Sequence, residues 1–335
     1  MTNTSESNDP LYPDYLPVWE YNTLPDWEEV AFTDAGTRAT DDYNYLFPAD
    51  HTAHRRPVSP YIGEEIRGIQ LSQLDKPALD DLALLVARRG VVIFRDQDWK
   101  ARAVVDTVRH FGRLRIHPTM GYPEGFPEIH VLYQDPKDAA TSKNTVVSLD
   151  YSDKISSINW HIDHSSEVQP AGLTFFWNLE HPDVGGDTQF VSLTEAYNRL
   201  SPELQRGLDG LQVLHDNSSM LHYSRENGGP ARFNSVRRHH PLIRTHPATG
   251  DRALFVHGFV QAIHGLKAEE STWILSFLQD IVAKGSEYQI RARWEPGSVV
   301  VWDNRVVAHT ATPDLAGVEG RRHMVRIAAM AEVPV

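Results

Sequence analysis

The chain contains a series of short apolar runs that are typical of buried β-strands. The clearest lie at residues 91–95, 172–179, 188–192, 253–256 and 298–302. Only a few segments have a helical period, and the clearest spans 269–283, with Ile274, Phe277, Leu278 and Ile281 on one face. Many strands with few helices predict a mainly β fold, a jelly-roll sandwich with flanking helices on one side.

One domain accounts for most of the chain. Its 335 residues are 41% hydrophobic, which is sufficient for one full core. Residues 1–56 lack periodicity and either are disordered or wrap the domain, and their tryptophans and tyrosines favour wrapping. Residues 57–335 form the predicted domain. Within it, the polar segment 134–157 is either a lid or an ordinary surface insertion.

Charge and composition exclude several classes of protein. A net charge of −13 argues against a general binder of nucleic acid or of anionic membranes. No run reaches the roughly 18 apolar residues of a membrane span, and no secretory signal is visible, so a cytoplasmic protein is predicted. Because the chain has no cysteine, any metal must be held by histidine and carboxylate.

A His-x-Asp pair in a β-type segment is the first candidate for a metal site. Alternate residues of a strand share a face, so His161 and Asp163 converge on one point. The chain holds a second copy of this pattern in His181-Pro182-Asp183, where the proline and the following glycines predict a turn. By itself, such a pair is more often a hydrogen-bonded strand histidine than a metal site.

Polar residues near the end of the chain make the interpretation specific. The β-type run 299–303 leads into Asn304-Arg305, then His309, then an arginine-rich segment at residues 321–326. With these residues the sequence resembles the taurine dioxygenase family, which includes alkylsulfatase and herbicide-cleaving members, from about residue 62 to residue 333. The resemblance implies a double-stranded β-helix core, the cupin-like form of a jelly roll. It also implies an oxidoreductase, a dioxygenase that depends on Fe(II), 2-oxoglutarate and O2.

The resemblance assigns His161, Asp163 and His309 as catalytic iron ligands, which leave three positions for the cosubstrate and O2. It assigns Thr188, 27 residues after His161, and Arg322, 13 residues after His309, to the distal carboxylate of 2-oxoglutarate. The second spacing is a residue or two longer than usual in the family, so Arg321 stays an alternative. Ascorbate is the expected reductant in assays.

The substrate residues are implied less directly. The family's head-group arginine corresponds to Arg326 and its head-group histidine to His117. Ser157 stands where taurine-cleaving members have asparagine, Met120 stands where they have tyrosine, and Phe259 keeps an aromatic wall. An amine-bearing substrate would miss its polar partners here, so taurine itself is not the expected substrate.

Two enzymatic functions stay open. The first is attack on a C–H bond of a small anionic organosulfonate or alkyl sulfate, with release of sulfite or sulfate. The alternative is the same chemistry on an amino acid or secondary metabolite, by hydroxylation, desaturation or ring closure. A non-catalytic binding module would lack a ligand or the 2-oxoglutarate arginine, and a zinc hydrolase would have no use for Thr188 and Arg322. Whether the protein is a monomer or a homo-oligomer is left open.

Overall fold

The computed structural model describes residues 9–135, 137, 159–312, 314–315 and 318–335. The helices are α1 (Lys76–Arg89), α2 (Ala101–Val108), α3 (Leu193–Asn198), α4 (Pro202–Leu208), α5 (Ser218–Glu226) and α6 (Ala268–Lys284). Short 3-10 helices lie at Pro13–Tyr15, Ala35–Arg38, Leu71–Gln73, Arg109–Phe111 and Ser286–Tyr288. No helix among these described residues is long and apolar enough to cross a membrane.

The strands of the first half are β1 (Pro17–Val18), β2 (His54–Pro57), β3 (Glu64–Arg67), β4 (Val91–Phe94), β5 (Tyr122–Pro123), β6 (His130–Gln134), β7 (Ala171–Glu180) and β8 (Thr188–Ser192). Those of the second half are β9 (Gln212–Asp216), β10 (Arg237–Pro241), β11 (Ile243–Thr245), β12 (Arg252–Leu254), β13 (Val260–Ile263), β14 (Gln289–Ala292), β15 (Val299–Asp303), β16 (Val307–Ala311) and β17 (Arg322–Met330).

Two sheets form the sandwich. The large sheet has the order β2-β3-β4-β15-β7-β17-β6 and the small sheet the order β14-β8-β16. Within β7, Phe176 belongs to the core that joins the two sheets, whereas Phe175 and Trp177 pack in the core beneath α1 and α2. This alternation follows from the two-residue period of a strand. The predicted jelly-roll architecture is confirmed.

Helices cover both outer faces of the sandwich, which corrects the expectation that they lie on one side. The helices α1 and α2 cover the large sheet, and α3 and α6 pack with residues of β8 and β16 in a separate core. The predicted face of α6 was also partly wrong. Leu275, Leu278 and Val282 are buried, whereas Phe277 is 42% exposed.

Local sequence signals bound α1 at both ends. Asp75 accepts a hydrogen bond from the backbone N–H of Ala78 at 3.0 Å, and Gly90 ends the helix with φ 71°. A Cβ atom at Gly90 would lie 2.7 Å from Val307 Cγ1. Glycine is therefore required both for the left-handed turn and for the close approach of β16, the strand that carries His309.

The described part of the N-terminal extension packs along the domain. The Tyr15 hydroxyl accepts a hydrogen bond from the backbone N–H of Ala101 at 2.7 Å. Leu46 is 2% exposed, and the Arg113 guanidinium lies 3.9 Å from the ring centroid of Trp27. The strand β2 crosses the boundary expected between residues 56 and 57. That domain boundary stays a prediction.

A buried ion network joins this extension to the hairpin β15–β16. Arg305 pairs with Asp303 at 2.7 Å, with Glu332 at 3.2 Å and with Asp34 of the extension. His246 Nε2 lies 3.0 Å from Asp303 Oδ2. Burial opposes ionisation of Asp303, but Arg305 and His246 hold its pKa well below the usual range. The network ties the extension and the C-terminal segment to the loop that precedes His309.

We expect Asp303→Asn to lower the free energy of unfolding by about 3–5 kcal/mol at pH 7, because it leaves Arg305 buried with part of its charge unpaired. Urea unfolding measures this loss. A carboxyl group with a depressed folded pKa stabilises the protein above its unfolded pKa of about 3.9. The difference in the free energy of unfolding between wild type and Asp303→Asn should therefore be constant from about pH 5 to 8 and should decrease below about pH 4.

The control for Asp303→Asn is Glu203→Gln, which removes an exposed pair with Arg206. Its effect should stay within about 0.5 kcal/mol, since exposed ion pairs contribute little. A pH-independent difference for Asp303→Asn, or one as small as that of the control, would contradict the prediction.

Candidate metal and cosubstrate site

Two histidines and an aspartate come together beside the small sheet. His161 and His309 form an isolated antiparallel bridge, with backbone N···O distances of 2.9 and 3.0 Å. Asp163 Oδ1 lies 4.0 Å from His161 Nε2, and Asp163 Oδ2 lies 3.8 Å from His309 Nε2. The possible ligand atoms of the three residues all lie within 4.8 Å of one another. The side chains assigned to metal binding from the sequence therefore converge on one point.

The hydrogen bonds of His161 leave one ring nitrogen available. Its Nδ1–H donates to the backbone oxygen of Asn159 at 2.9 Å, so the lone pair of Nε2 is free to bind a metal. The backbone N–H of Asn159 in turn donates to Thr310 Oγ1 at 2.9 Å. The segment that carries His161 is thus held on β16 by the bridge and by the hydrogen bond of Asn159.

Asn304 holds the backbone next to the carboxylate. Its Oδ1 accepts from the backbone N–H of Asp163 at 3.1 Å and from Trp302 Nε1 at 3.2 Å. Its Nδ2 donates to the backbone oxygen of Gly172 and to Thr174 Oγ1, each at 2.9 Å. Asn304 is completely buried. The polar end of the predicted strand therefore positions a metal ligand instead of binding the metal itself.

The electrostatics favour an ionised carboxylate and neutral imidazole. Burial opposes ionisation of Asp163, but the Arg326 guanidinium, whose NH1 donates to Asp163 Oδ1 at 2.9 Å, and His309 hold the pKa of this carboxyl well below its usual range. Burial and the neighbouring His161 lower the pKa of His309 well below its ordinary value. Each group is therefore in the protonation state that metal binding requires.

The donor set fits a divalent iron ion. Within the described part of the chain, the buried Asp163 Oδ2 and His309 Nδ1 have no hydrogen-bond partner. A buried polar atom without a partner is costly, and a cation beside the carboxylate would offset that cost at Oδ2. Two imidazoles and one carboxylate on one side of a metal form the 2-His-1-carboxylate triad of non-haem iron oxygenases. A His-Asp-His iron-binding triad is present.

Thr188 and Arg322 each begin a strand at the sandwich. Thr188 is 3% exposed and pairs with Ala311 of β16. Burial lowers the pKa of Arg322 to about 10, so its guanidinium is still charged at pH 7. No described residue forms an ion pair with Arg322, and its buried Nε has no hydrogen-bond partner among them. Arg322 is half-buried, and the charge of Asp314 offsets part of this effect of burial without forming an ion pair, so the guanidinium is available to an incoming carboxylate.

Arg321, the alternative, is already engaged. Its Nε donates to Asp135 Oδ2 at 3.0 Å and its NH1 donates to Glu180 Oε2 at 2.8 Å. Successive strand residues point to opposite faces. Met324, two residues beyond Arg322, lies in the core between the sheets, which places Arg322 and Arg326 on that inner face.

The candidate head-group residues lie close to the metal ligands. Arg326 contacts Asp163, as described above, and its Nε donates to His130 Nδ1 at 3.2 Å. The His117 ring centroid lies 4.7 Å from that of His130 and 5.4 Å from that of His164. The arginine and the histidine expected from the sequence are therefore joined in one cluster by two further histidines.

The other expected substrate residues are placed less directly. Met120 is buried, and its backbone oxygen accepts from Arg232 NH1 at 2.7 Å. Phe259 is half-buried, and its backbone N–H donates to Ser165 Oγ, two residues after Asp163, at 3.1 Å. Ser157 lies outside the described residues. So does the lid candidate 134–157, apart from residues 134, 135 and 137.

Sequence reasoning missed three histidines of this region. His130 faces Arg326 across the pairing of β6 with β17, and nothing in a single sequence indicates that register. His164 adjoins Asp163 with a φ of 52°, so its place beside the His-x-Asp pair was the one available signal. His257 lies near His161, and burial lowers its pKa to about 4. A histidine between apolar strand residues does not differ in sequence from a core histidine.

Comparisons with known proteins agree with this geometry. The model of the family described as "Taurine catabolism dioxygenase TauD, TfdA family" matches residues 54–328. An alpha-ketoglutarate-dependent sulfonate dioxygenase of Saccharomyces cerevisiae is 40% identical over 97% of this chain and 79% of its own length. An alpha-ketoglutarate-dependent sulfate ester dioxygenase of Pseudomonas putida is 28% identical over 83% of this chain and 90% of its own length. The crystal structure of a taurine dioxygenase from Burkholderia xenovorans superposes with a TM-score of 0.69 at 29% identity, over 84% of this chain and 91% of that chain.

Proposed function

Since this chain belongs to the TauD, TfdA family of taurine catabolism dioxygenases and is a 2-oxoglutarate-dependent dioxygenase, we propose that it oxidises a small organosulfonate or alkyl sulfate and releases sulfite or sulfate. The observation that carries the proposal is the contact between Arg326 NH1 and Asp163 Oδ1 at 2.9 Å. An anion held by Arg326 would lie next to the metal ligands. The substrate carbon bonded to that anionic group would then lie close to the metal site. The named sulfonate and sulfate ester dioxygenases among the relatives support this substrate class.

The residues of the site have separate tasks in this proposal. His161, Asp163 and His309 would hold iron. The buried guanidinium of Arg322 and the hydroxyl of Thr188 hold the distal carboxylate of 2-oxoglutarate. A planar guanidinium can bind a carboxylate through two parallel hydrogen bonds, which fixes its orientation. Arg321 is not needed for this task because it already pairs with Asp135 and Glu180.

Iron, when bound together with 2-oxoglutarate and O2, supplies the oxidation that removes a hydrogen atom from the substrate and adds a hydroxyl group. Arg326 and His117 hold the anionic head group, which fixes the attacked carbon relative to the metal ligands. Hydroxylation of a carbon that carries a sulfonate or sulfate group gives an unstable product. The bond from that carbon to the sulfonate sulfur or to the sulfate oxygen then breaks. The products are a carbonyl compound and sulfite or sulfate.

A second candidate function keeps the same oxidation but applies it to an amino acid or secondary metabolite. Met120, buried in place of the tyrosine of taurine-cleaving members, argues against an amine-bearing substrate, so it does not choose between a sulfonate without an amine and a secondary metabolite. Relatives from Penicillium expansum are named only as alpha-ketoglutarate-dependent dioxygenases, and one is 37% identical over all of this chain and 93% of its own length. In this case Arg326 would hold a carboxylate and no sulfite would form. A cytoplasmic location and the use of ascorbate stay predictions, and the choice between a monomer and a homo-oligomer stays open.

A turnover panel separates the two functions. Purified protein with Fe(II), ascorbate and 2-oxoglutarate is incubated with sulfonates, alkyl sulfates, amino acids and aryloxy acids, and succinate, sulfite and sulfate are measured separately. We expect succinate to rise with a sulfonate or sulfate ester and to be matched by sulfite or sulfate. The His161→Ala variant should lose this response, because it lacks one of the three iron ligands. Succinate with an oxidised product but neither sulfite nor sulfate would instead establish the second function.

A further inference from the structure

Arg326 is held from two sides at the head-group end of the site. Its NH1 donates to Asp163 Oδ1 at 2.9 Å and its Nε donates to His130 Nδ1 at 3.2 Å. The side chain of Arg326 is only 12% exposed, and that of Asp163 only 5%. His130, on β6, lies opposite Arg326 of β17 in the strand pairing. Its imidazole is therefore part of the frame that sets the direction of the guanidinium.

These hydrogen bonds determine where the imidazole protons lie. An arginine Nε–H can only donate, so His130 Nδ1 must accept, and the ring proton of neutral His130 is on Nε2. His117 has the same arrangement, because its Nδ1 accepts from the backbone N–H of Thr119 at 3.2 Å. Burial lowers the pKa of both rings well below the usual value, with further contributions from neighbouring positive groups, so both are neutral at pH 7. Each ring thus offers one N–H donor from Nε2.

Neither of these donors is used by another residue in the described part of the chain. No described residue accepts a hydrogen bond from Nε2 of His130 or of His117. The two rings lie edge to face, with centroids 4.7 Å apart. Among the described residues, Asp163 is the one side-chain acceptor besides His130 that contacts Arg326, and it is assigned to the metal. The head-group end of the site is therefore rich in donors and poor in acceptors.

We propose that His130 is a specificity-determining residue, which positions Arg326 through Nδ1 and donates to the substrate head group through Nε2. The inference rests on the proposed function, since it requires an anion at Arg326. A sulfonate or sulfate group is fully ionised, has only acceptors and directs three oxygens in three directions. It can use the guanidinium and both imidazole donors together. A carboxylate has two oxygens in one plane and satisfies fewer of these donors.

The test compares two probes that differ only in the head group, butane-1-sulfonate and pentanoate. Their dissociation constants are measured by calorimetry on protein loaded with Zn(II) and 2-oxoglutarate, in which no turnover occurs. We expect wild type to bind the sulfonate at least tenfold more tightly than the carboxylate. His130→Phe, which keeps the ring volume but removes both nitrogens, should bring the two constants within threefold of each other.

His130→Asn separates the two tasks of the residue. Its Oδ1 can replace the acceptor for Arg326 Nε, but it has no group at the place of Nε2–H. Pentanoate affinity should stay within threefold of wild type, while the preference for sulfonate is lost. His239→Phe, at an exposed position of β10, serves as the control and should leave both constants unchanged.

The proton position is measured without any probe, by long-range 1H–15N spectra of protein with 15N-labelled histidine. Signals of His130 are assigned by their absence in His130→Asn, and we expect an Nε2–H tautomer. A proton on Nδ1 would overturn the inference, as would a wild-type protein without a preference for the sulfonate or a preference that survives His130→Phe. Tight sulfonate binding with neither sulfite nor sulfate released in the turnover panel would contradict the proposed function alone. Release of sulfite or sulfate that is unaffected in both His130 variants would contradict the role of His130 alone.

Discussion

Replacement of His309 by alanine is expected to abolish iron binding and to lower the rate of substrate-dependent succinate formation about a thousandfold or more, equivalent to about 4 kcal/mol of transition-state stabilisation. His309 contributes one of the three possible ligand atoms that lie within 4.8 Å of one another. Two remaining ligands from one short segment cannot enclose one side of an octahedral ion. The backbone bridge to His161 does not involve the side chain, so the fold should persist.

Anaerobic titration with Fe(II) and 2-oxoglutarate, followed by the visible absorption of the chelate, measures the loss of binding in His309→Ala. Circular dichroism checks that the variant is folded. The matched control is His264→Ala, at an exposed histidine outside the site. A chelate band of wild-type intensity in His309→Ala would show that a different residue completes the metal site.

The second large effect is expected for Arg322→Met. We expect the KM for 2-oxoglutarate to rise about a hundredfold, because loss of a buried charged partner costs about 2–5 kcal/mol. Arg322→Lys should recover only part of this loss, since an ammonium group cannot bind both carboxylate oxygens in one plane. Without 2-oxoglutarate, Arg322→Met should be at least as stable as wild type, because burial of this guanidinium is not compensated by any described ion pair.

Arg321→Met provides the control at the adjacent position. It removes ion pairs with Asp135 and Glu180, so it should lower thermal stability while leaving the KM for 2-oxoglutarate within about threefold of wild type. Succinate formation at varied 2-oxoglutarate concentration measures the KM, and thermal unfolding with and without 2-oxoglutarate measures the linked stabilisation. The opposite pattern, with a raised KM in Arg321→Met only, would assign the cosubstrate to Arg321.

Local signals in the sequence were sufficient for several elements. Asp75, the arginines at 88 and 89 and Gly90 bounded α1, because caps and left-handed glycines act within one turn of a helix. The second His-x-Asp copy was expected to be a turn, and residues 181–187 form no strand in the described structure. These features depend on neighbours in the chain, so they can be read without knowledge of the fold.

Other features depended on contacts between distant residues. In α6, Phe277 was expected on the buried face, but the face that packs in the core contains Leu275, Leu278 and Val282. The helix has apolar residues on more than one side, so its period alone does not select the face that is covered. The role of Asn304 also depends on distant residues. Three of its four hydrogen-bond partners are separated from it by at least 130 positions in the sequence.

The sequence by itself determined the type of fold, the chemistry of the metal ligands and the resemblance of the chain to a dioxygenase family. Strand periodicity and the identity of the ligands are both visible in short segments of the sequence. Only the tertiary structure decided that Arg322 forms no ion pair with a described residue while Arg321 is paired, and that His130 accepts a hydrogen bond from Arg326. These relations arise from strand register and burial, which bring together residues as far apart as 196 positions. A hydrogen bond and a desolvation cost depend on distance in space, and a single sequence does not contain that distance.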